Sequence, residues 1–163
     1  MALAAKSLKK TNHWLSTAER QIEVLSDHKK VGIVSFGAHL KEGGLLPLKP
    51  ISVEVFQINV GKMCNQVCQH CHVDAGPDRK EIMTRETMQQ CLEALKDPNI
   101  TTVDLTGGAP EMNPEFRWFV EELSKLGKQI IGRCNLTIIL ANPKYNDLPA
   151  FFKKHSRWMY YEK

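Results

Sequence analysis

The sequence predicts an α/β chain built from parallel βα units with an N-terminal helical extension, and three observations predict it. β-Branched runs alternate with segments of helical period, each run ends in a loop rather than a tight hairpin turn, and 163 residues at 42% hydrophobic content suffice for one core. Strand, helix, strand, helix, strand in that rhythm demands parallel pairing with crossover helices.

The first strand is read in Ile51 to Val60, I-S-V-E-V-F-Q-I-N-V, bounded by Pro50 and Gly61. Thr84 caps a helix running to about Lys96, whose apolar stripe is Met88, Cys91, Leu92 and Leu95. Cys91 on that stripe reads as a small core residue. Asp97-Pro98-Asn99 turns the chain into Ile100 to Thr106, which sets Val103 and Leu105 on one face and Thr102, Asp104 and Thr106 on the other. Asn113 caps the next helix with Pro114 at its first position; Phe116, Phe119, Val120 and Leu123 point inward and Gly127 ends it. A third strand lies within Gln129 to Leu140, with Arg133, Asn135 and Thr137 on one face and Cys134, Leu136, Ile138 and Leu140 on the other. Upstream, Thr17 to Lys30 reads as a helix, and Val31 to Lys49 as a connector in which no period is sustained. Residues 1–49 are therefore an extension, 50–155 a core and 156–163 a tail.

Composition excludes several classes. The net charge of +4 is spread over isolated lysine pairs, which argues against a nucleic-acid partner. No run reaches eighteen apolar residues, so no span through a membrane is expected. The first sixteen residues lack a secretory apolar stretch but carry Lys6, Lys9 and Lys10 without an acid. A cytoplasmic compartment is the default, and those lysines keep an organelle open.

The chemistry concentrates in Gly61 to Pro77, where three cysteines and two histidines fall within nine residues, Cys64 to His72. Cys64, Cys68 and Cys71 have the spacing C-x3-C-x2-C, so one short loop offers three thiolates to one compact inorganic group. A closed metal site normally takes four protein ligands; three leave one coordination position for a substrate or cofactor. A structural zinc site with His70 or His72 as fourth ligand is the alternative on spacing. An odd count of five cysteines, three of them tightly clustered, argues against a disulfide framework. Some forty residues on, the second strand ends in Gly107-Gly108-Ala109-Pro110-Glu111. Both loops then leave the C-terminal ends of parallel strands, where such sheets and barrels place their ligands.

C-x3-C-x2-C after the first strand and a Gly-Gly turn after the second resemble the radical SAM superfamily. The wording Q-I-N-V-G-K-M-C-N-Q-V-C-Q-H-C-H-V-D-A-G-P, D-L-T-G-G-A-P-E-M-N-P-E-F-R and G-R-C-N-L-T-I-I-L looks like its arsenosugar-biosynthesis, or radical SAM/Cys-rich, subgroup over about Pro50 to His155. The resemblance implies a partial (βα) barrel of which the chain supplies about the first half. It implies a [4Fe-4S] cluster on Cys64, Cys68 and Cys71, with S-adenosylmethionine chelating the fourth iron and cleaved reductively to a 5'-deoxyadenosyl radical. Thr106, Gly107, Gly108, Ala109 and Pro110 would border the methionine end of that cofactor. His70 stands where the family has an aromatic residue over the adenine, and Glu111 stands in for the acid missing at Ala109. Arg133 and Asn135 would lie near the cofactor, while Cys134 packs.

The implied partners are a small-molecule substrate, in this subgroup a methylated arsenical, and an electron donor. Family-like wording stops near His155, and Ser156 to Lys163 does not resemble what should follow. A half barrel would leave the third strand with an unpaired edge, weak stability and little turnover, with Trp158, Tyr160 and Tyr161 available to patch that edge. The chain is thus read as a radical SAM enzyme or a truncated form of one, with a non-catalytic cluster- or zinc-binding fragment as the alternative.

Overall fold

Strands β1 (Val55–Asn59), β2 (Thr102–Thr106), β3 (Gln129–Gly132) and β4 (Trp158–Tyr160) form one sheet in the order β1-β2-β3-β4, every neighbouring pair parallel. They belong to a computed structural model of the chain that describes residues 6–27, 29, 32–155 and 158–160. Two compact units are present, Leu8–Ser52 and a second made of Met1–Ser7 with Val53–Lys163.

In the second unit the period-two pattern of β1 and β2 decides which face carries the apolar core, although Asp104 and Thr106 on the other face of β2 are buried too. Ile58, Val103, Leu105 and Ile130 point to one side, where they pack with Met88 and Leu95 of the α3 segment (helix Arg85–Ala94 and its cap) and with α4 (Phe116–Lys125). Phe116, Phe119, Val120 and Leu123 of α4 are all buried, as their spacing predicts. Phe119 sits deep enough that truncation to alanine would cost about 3–5 kcal/mol. Helix α3 starts where the sequence places it, with Thr84 accepting a hydrogen bond from the Thr87 amide. Gly127, at φ +72°, ends α4, and buried Lys128 donates to the Asp97 and Ile100 carbonyls that lead into β2.

Four expectations change. Helix α4 starts after Glu115 rather than with Asn113 as its cap and Pro114 as its first residue; Asn113 Oδ1 accepts from the Glu115 amide while its Nδ2 donates to the Val60 and Met83 carbonyls. The first strand is shorter than Ile51 to Val60, and Ile51 is fully exposed ahead of it. The third strand does not run to Leu140. It ends at Gly132, because the Asn135 side chain accepts from the Thr137 amide and hydroxyl, turning the chain into α5 (Thr137–Ala141). The edge expected to be open on β3 is paired, because Trp158–Tyr160 adds a strand in register Ile130↔Trp158 to Gly132↔Tyr160 after α6 (Leu148–Lys154). Tyr161 lies outside the described residues.

In the unit Leu8–Ser52, helix α1 (Ala18–Ser26) is capped by Thr17 as expected and stops at Asp27. His28, Lys30 and Val31 lie outside the described residues. The connector holds a second helix, α2 (Phe36–Glu42), started by Ser35, whose hydroxyl accepts from the Ala38 amide. Neither helix buries a residue.

Candidate functional site

The cysteine loop is built onto the end of the sheet. Past β1 the Met83 amide donates to the Val60 carbonyl, and the Lys62 amide to that of Glu81. The Cys64 amide donates to the Gly76 carbonyl and the Gly76 amide to that of Lys62, so the loop returns alongside its own start. Between these points the Cys71 amide donates to the Cys68 carbonyl, a tight turn that brings the last two cysteines round together. Arg79, buried, closes the return: Nη1 donates to the Asp74 carbonyl and carboxylate at 2.7 and 2.9 Å, and Nε and Nη2 to Glu81 at 3.1 and 3.0 Å. Asp74 holds the left-handed conformation, φ +50°, at this corner.

The glycine turn after β2 supports the loop from beneath. The Gly108 amide donates to the Gly61 carbonyl and the Ala109 amide to that of Met63, both at 2.9 Å. A Cβ on Gly107 would lie 2.5 Å from the Gly61 oxygen, and one on Gly108 would meet the Met63 oxygen. The missing side chains therefore let the turn press against the cysteine loop's backbone. The absence of a Cβ at this turn thus serves the seating of the cysteine loop.

The segment after β3 reaches the loop from the side. Asn135 donates through Nδ2 to Asn65 Oδ1 at 2.7 Å and to Cys64 Sγ at 3.5 Å, while Asn65 donates to the Thr137 hydroxyl at 3.1 Å. The Asn135 amide donates to Glu111 Oε1 at 3.1 Å. Cys71 Sγ accepts from the Ala75 amide at 3.4 Å. Two of the three loop sulfurs thus receive an N–H donor, while Cys68 is the exposed member.

A polar row crosses β1 and β2 and reaches the residue that follows β3, on the face away from the core. Asp104 of β2, buried, accepts from Gln57 Nε2 of β1 at 2.7 Å and from Arg133 Nε and Nη2 at 2.9 Å each. Burial pushes the Asp104 carboxyl up, but the hydrogen bonds from Arg133 and Gln57 outweigh it and hold the group below the usual carboxylate range. Cys134 packs in the core cluster and also borders the cavity; burial, helped by the charge of Glu111, pushes its thiol up to about 12. It stays a protonated packing residue.

One cavity of about 710 Å³ joins these parts, and Cys64, Cys68, His70, Cys71, Thr106, Gly108, Arg133 and Asn135 of the expected site all line it. Gly107, Ala109, Pro110 and Glu111 are not among its lining residues. Pro110 and Glu111 are buried in the short 3-10 turn that follows the glycines, and Glu111 braces the Asn135 backbone from behind. Gln57, Gln66 and Ala75 also line the cavity and carried no distinguishing signal, since a glutamine on an exposed strand face and a small residue in a loop are common in any chain. Asn65, the neighbour of Cys64, joins the ring that ties the loop to Thr137.

The donor set suits a group held by three thiolates: the three cysteines line one cavity, run from buried to exposed, and two of them, Cys64 and Cys71, are met by N–H donors of the kind that stabilise metal-bound thiolate. Among the described residues no group of three or more His, Cys, Asp or Glu side chains is arranged to hold a metal ion. Among them, too, no helix is long and apolar enough to cross a membrane.

No protein-family model matches the chain. Over 93 residues, 57% of its length, it is 25% identical to a probable GTP 3',8-cyclase of Saccharolobus islandicus, and it spans 30% of that relative. Among solved structures, SuiB of Streptococcus suis bound to S-adenosylmethionine is similar over 74% of this chain and 30% of the other, at 16% identity and a TM-score of 0.45. A second SuiB structure covers 78% of this chain and 32% of the other, at 14% identity and a TM-score of 0.42.

Proposed function

We propose that this chain is the cofactor-binding part of a radical SAM enzyme, with Cys64, Cys68 and Cys71 as the protein ligands of a [4Fe-4S] cluster. The observation that carries the reading is that all three cysteines of C-x3-C-x2-C open, together with Gly108, onto one cavity at the C-terminal ends of parallel strands. Sequence similarity to the probable GTP 3',8-cyclase supports it. Bound there, the cluster with S-adenosylmethionine would supply a 5'-deoxyadenosyl radical by reductive cleavage. The chain's own part is to present the thiolates, orient the cofactor and shield it. Thr106 and Gly108 border the cavity beside Cys64 and Cys71, where they suit the methionine end. His70, exposed on the loop, suits the adenine, and Arg133, held by Asp104, offers a fixed cation in the cavity lining.

In the finer reading the chain is the first half of a partial barrel of the arsenosugar type, which passes the adenosyl group to a methylated trivalent arsenical and takes its electron from a separate donor. The motif wording around the cysteine loop and the glycine turn supports it. A reducing compartment suits thiolates that must stay unoxidised. A second reading, a cluster- or zinc-loaded module without turnover, is favoured by His70 and His72, which line the same cavity as the three cysteines and either of which would complete a four-ligand zinc set.

Anaerobic reconstitution with iron and sulfide tests both. We expect a [4Fe-4S] EPR signal in the reduced protein that shifts on adding S-adenosylmethionine and disappears in Cys68→Ala, with 5'-deoxyadenosine formed under dithionite. A signal without 5'-deoxyadenosine selects the module, and a colourless protein holding one zinc overturns the cluster.

A further inference from the structure

We infer that Asn135 is a positioning residue for the Cys64 sulfur, setting the electronic environment of that ligand through a side-chain amide whose orientation the fold leaves no freedom to reverse. This rests on the cluster reading above.

An asparagine amide can ordinarily flip, exchanging its donor and acceptor ends. Here both ends are specified. Oδ1 accepts from the Thr137 hydroxyl at 2.8 Å and the Thr137 amide at 3.3 Å, and an NH2 group at that position could not accept from the backbone N–H. Nδ2 must then face Asn65 Oδ1, a pure acceptor, and Cys64 Sγ. Asn65 in turn donates to Thr137, closing a ring of three side chains beside Cys64. The backbone is held as well, by the bond from the Asn135 amide to Glu111, and the residue is 9% exposed. Such a pinned, desolvated donor differs from a surface amide that water can replace.

Hydrogen bonds to cluster sulfurs help set reduction potential, since an N–H pointed at a thiolate stabilises the more negative reduced state. Cys71 receives a backbone donor from Ala75, which side-chain substitution leaves in place. The Cys64 donor is a side chain and can be removed alone. Asn135 therefore belongs to the cluster's surroundings through Cys64 and is no ligand itself.

The test is a potentiometric EPR titration of the reconstituted full chain without S-adenosylmethionine, comparing wild type with Asn135→Ala, Asn135→Asp, Thr137→Val and Thr137→Ser. We expect the midpoint potential to fall in Asn135→Ala and further in Asn135→Asp, where an acceptor oxygen faces the sulfur. It should fall partway in Thr137→Val, which loses the hydroxyl pin, and return to wild type in Thr137→Ser, which keeps it. Variants that load iron and sulfide as wild type does but titrate at an unchanged potential overturn the inference and leave the cluster standing. If Asn135→Ala fails to load, the Thr137 pair decides: equal potentials in Thr137→Val and Thr137→Ser overturn it. A wild-type protein that takes up no [4Fe-4S] cluster overturns the cluster reading, and the inference falls with it.

Discussion

Helices α1 and α3 start with the same device and end in different circumstances. Thr17 accepts from the Arg20 amide at 3.5 Å, and Thr84 from the Thr87 amide at 3.4 Å, each from an extended backbone. After α1, Ile22 and Leu25 remain exposed and nothing in the helix is buried; after α3, Met88 and Leu95 are completely buried against the sheet. The cap fixes where a helix begins, and burial of its stripe decides whether the protein depends on it.

The widest gap should appear on truncating each stripe. Met88→Ala is expected to destabilise the chain by about 2–5 kcal/mol in urea titrations, and Ile22→Ala by less than about 0.5 kcal/mol. A comparable loss from Ile22→Ala would mean that α1 is packed in solution.

Ion pairs sharpen the same contrast. Arg20 and Glu23 pair at 2.7 Å on the exposed side of α1, whereas Arg79 is 6% exposed with its fork shared between Asp74 and Glu81. Removing a buried guanidinium leaves its carboxylates with lost partners, and because Glu81 is half-exposed the cost falls below that of a fully buried pair. We expect about 2–3 kcal/mol for Arg79→Ala against about 0–0.5 kcal/mol for Arg20→Ala, with protease cleavage appearing between Cys71 and Glu81 only in the first. Intact resistance to protease in Arg79→Ala would show that the sheet and the glycine turn hold the loop without the clamp.

What the sequence made legible divides along these lines. Alternation in Thr102–Thr106 and the stripe of α4 were readable because a large buried surface imposes one period on neighbouring residues. So was the cysteine loop, whose residue types are rare and closely spaced. The end of β3 was not: Arg133 to Leu140 alternates as a strand would, and only the Asn135 bonds to Thr137 reveal a turn. Helix α2 escaped because its signal is a cap, Ser35, without a buried stripe. Strand β4 was legible only as aromatic residues available to cover the edge of β3, because three residues carry too little pattern to be read as a strand. Gln57 was invisible as a site residue because its role exists only through register, opposite Asp104.

Acid should separate the two units next. An aspartate held below its unfolded range contributes stability above that range and gives it up as pH falls. Asp104, buried between Arg133 and Gln57, should make unfolding easier as pH drops below about 4, and Asp104→Asn should flatten that dependence. Glu19 is also held low, by its backbone hydrogen bond and the Thr17 hydroxyl, but it is fully exposed, and Glu19→Gln should leave the acid limb of the curve unmoved. Identical acid limbs in wild type and Asp104→Asn would place the acid-sensitive group elsewhere.

The smallest effect is the most direct test of the opening contrast, because it changes the same atom in the same motif twice. Thr84→Ala and Thr17→Ala each delete one hydroxyl acceptor at a helix N-terminus, a local loss of about 1 kcal/mol. In α3 that loss should pass into global stability, because Met88 and Leu95 reach the core only from an intact helix. In α1 it has no core to reach. Thr17→Ala should therefore speed amide exchange at Arg20 and Gln21 while leaving the urea midpoint in place, and Thr84→Ala should move the midpoint. Equal shifts of the midpoint would mean that the two helices belong to one cooperative unit, and that the exposed stripe of α1 is spoken for.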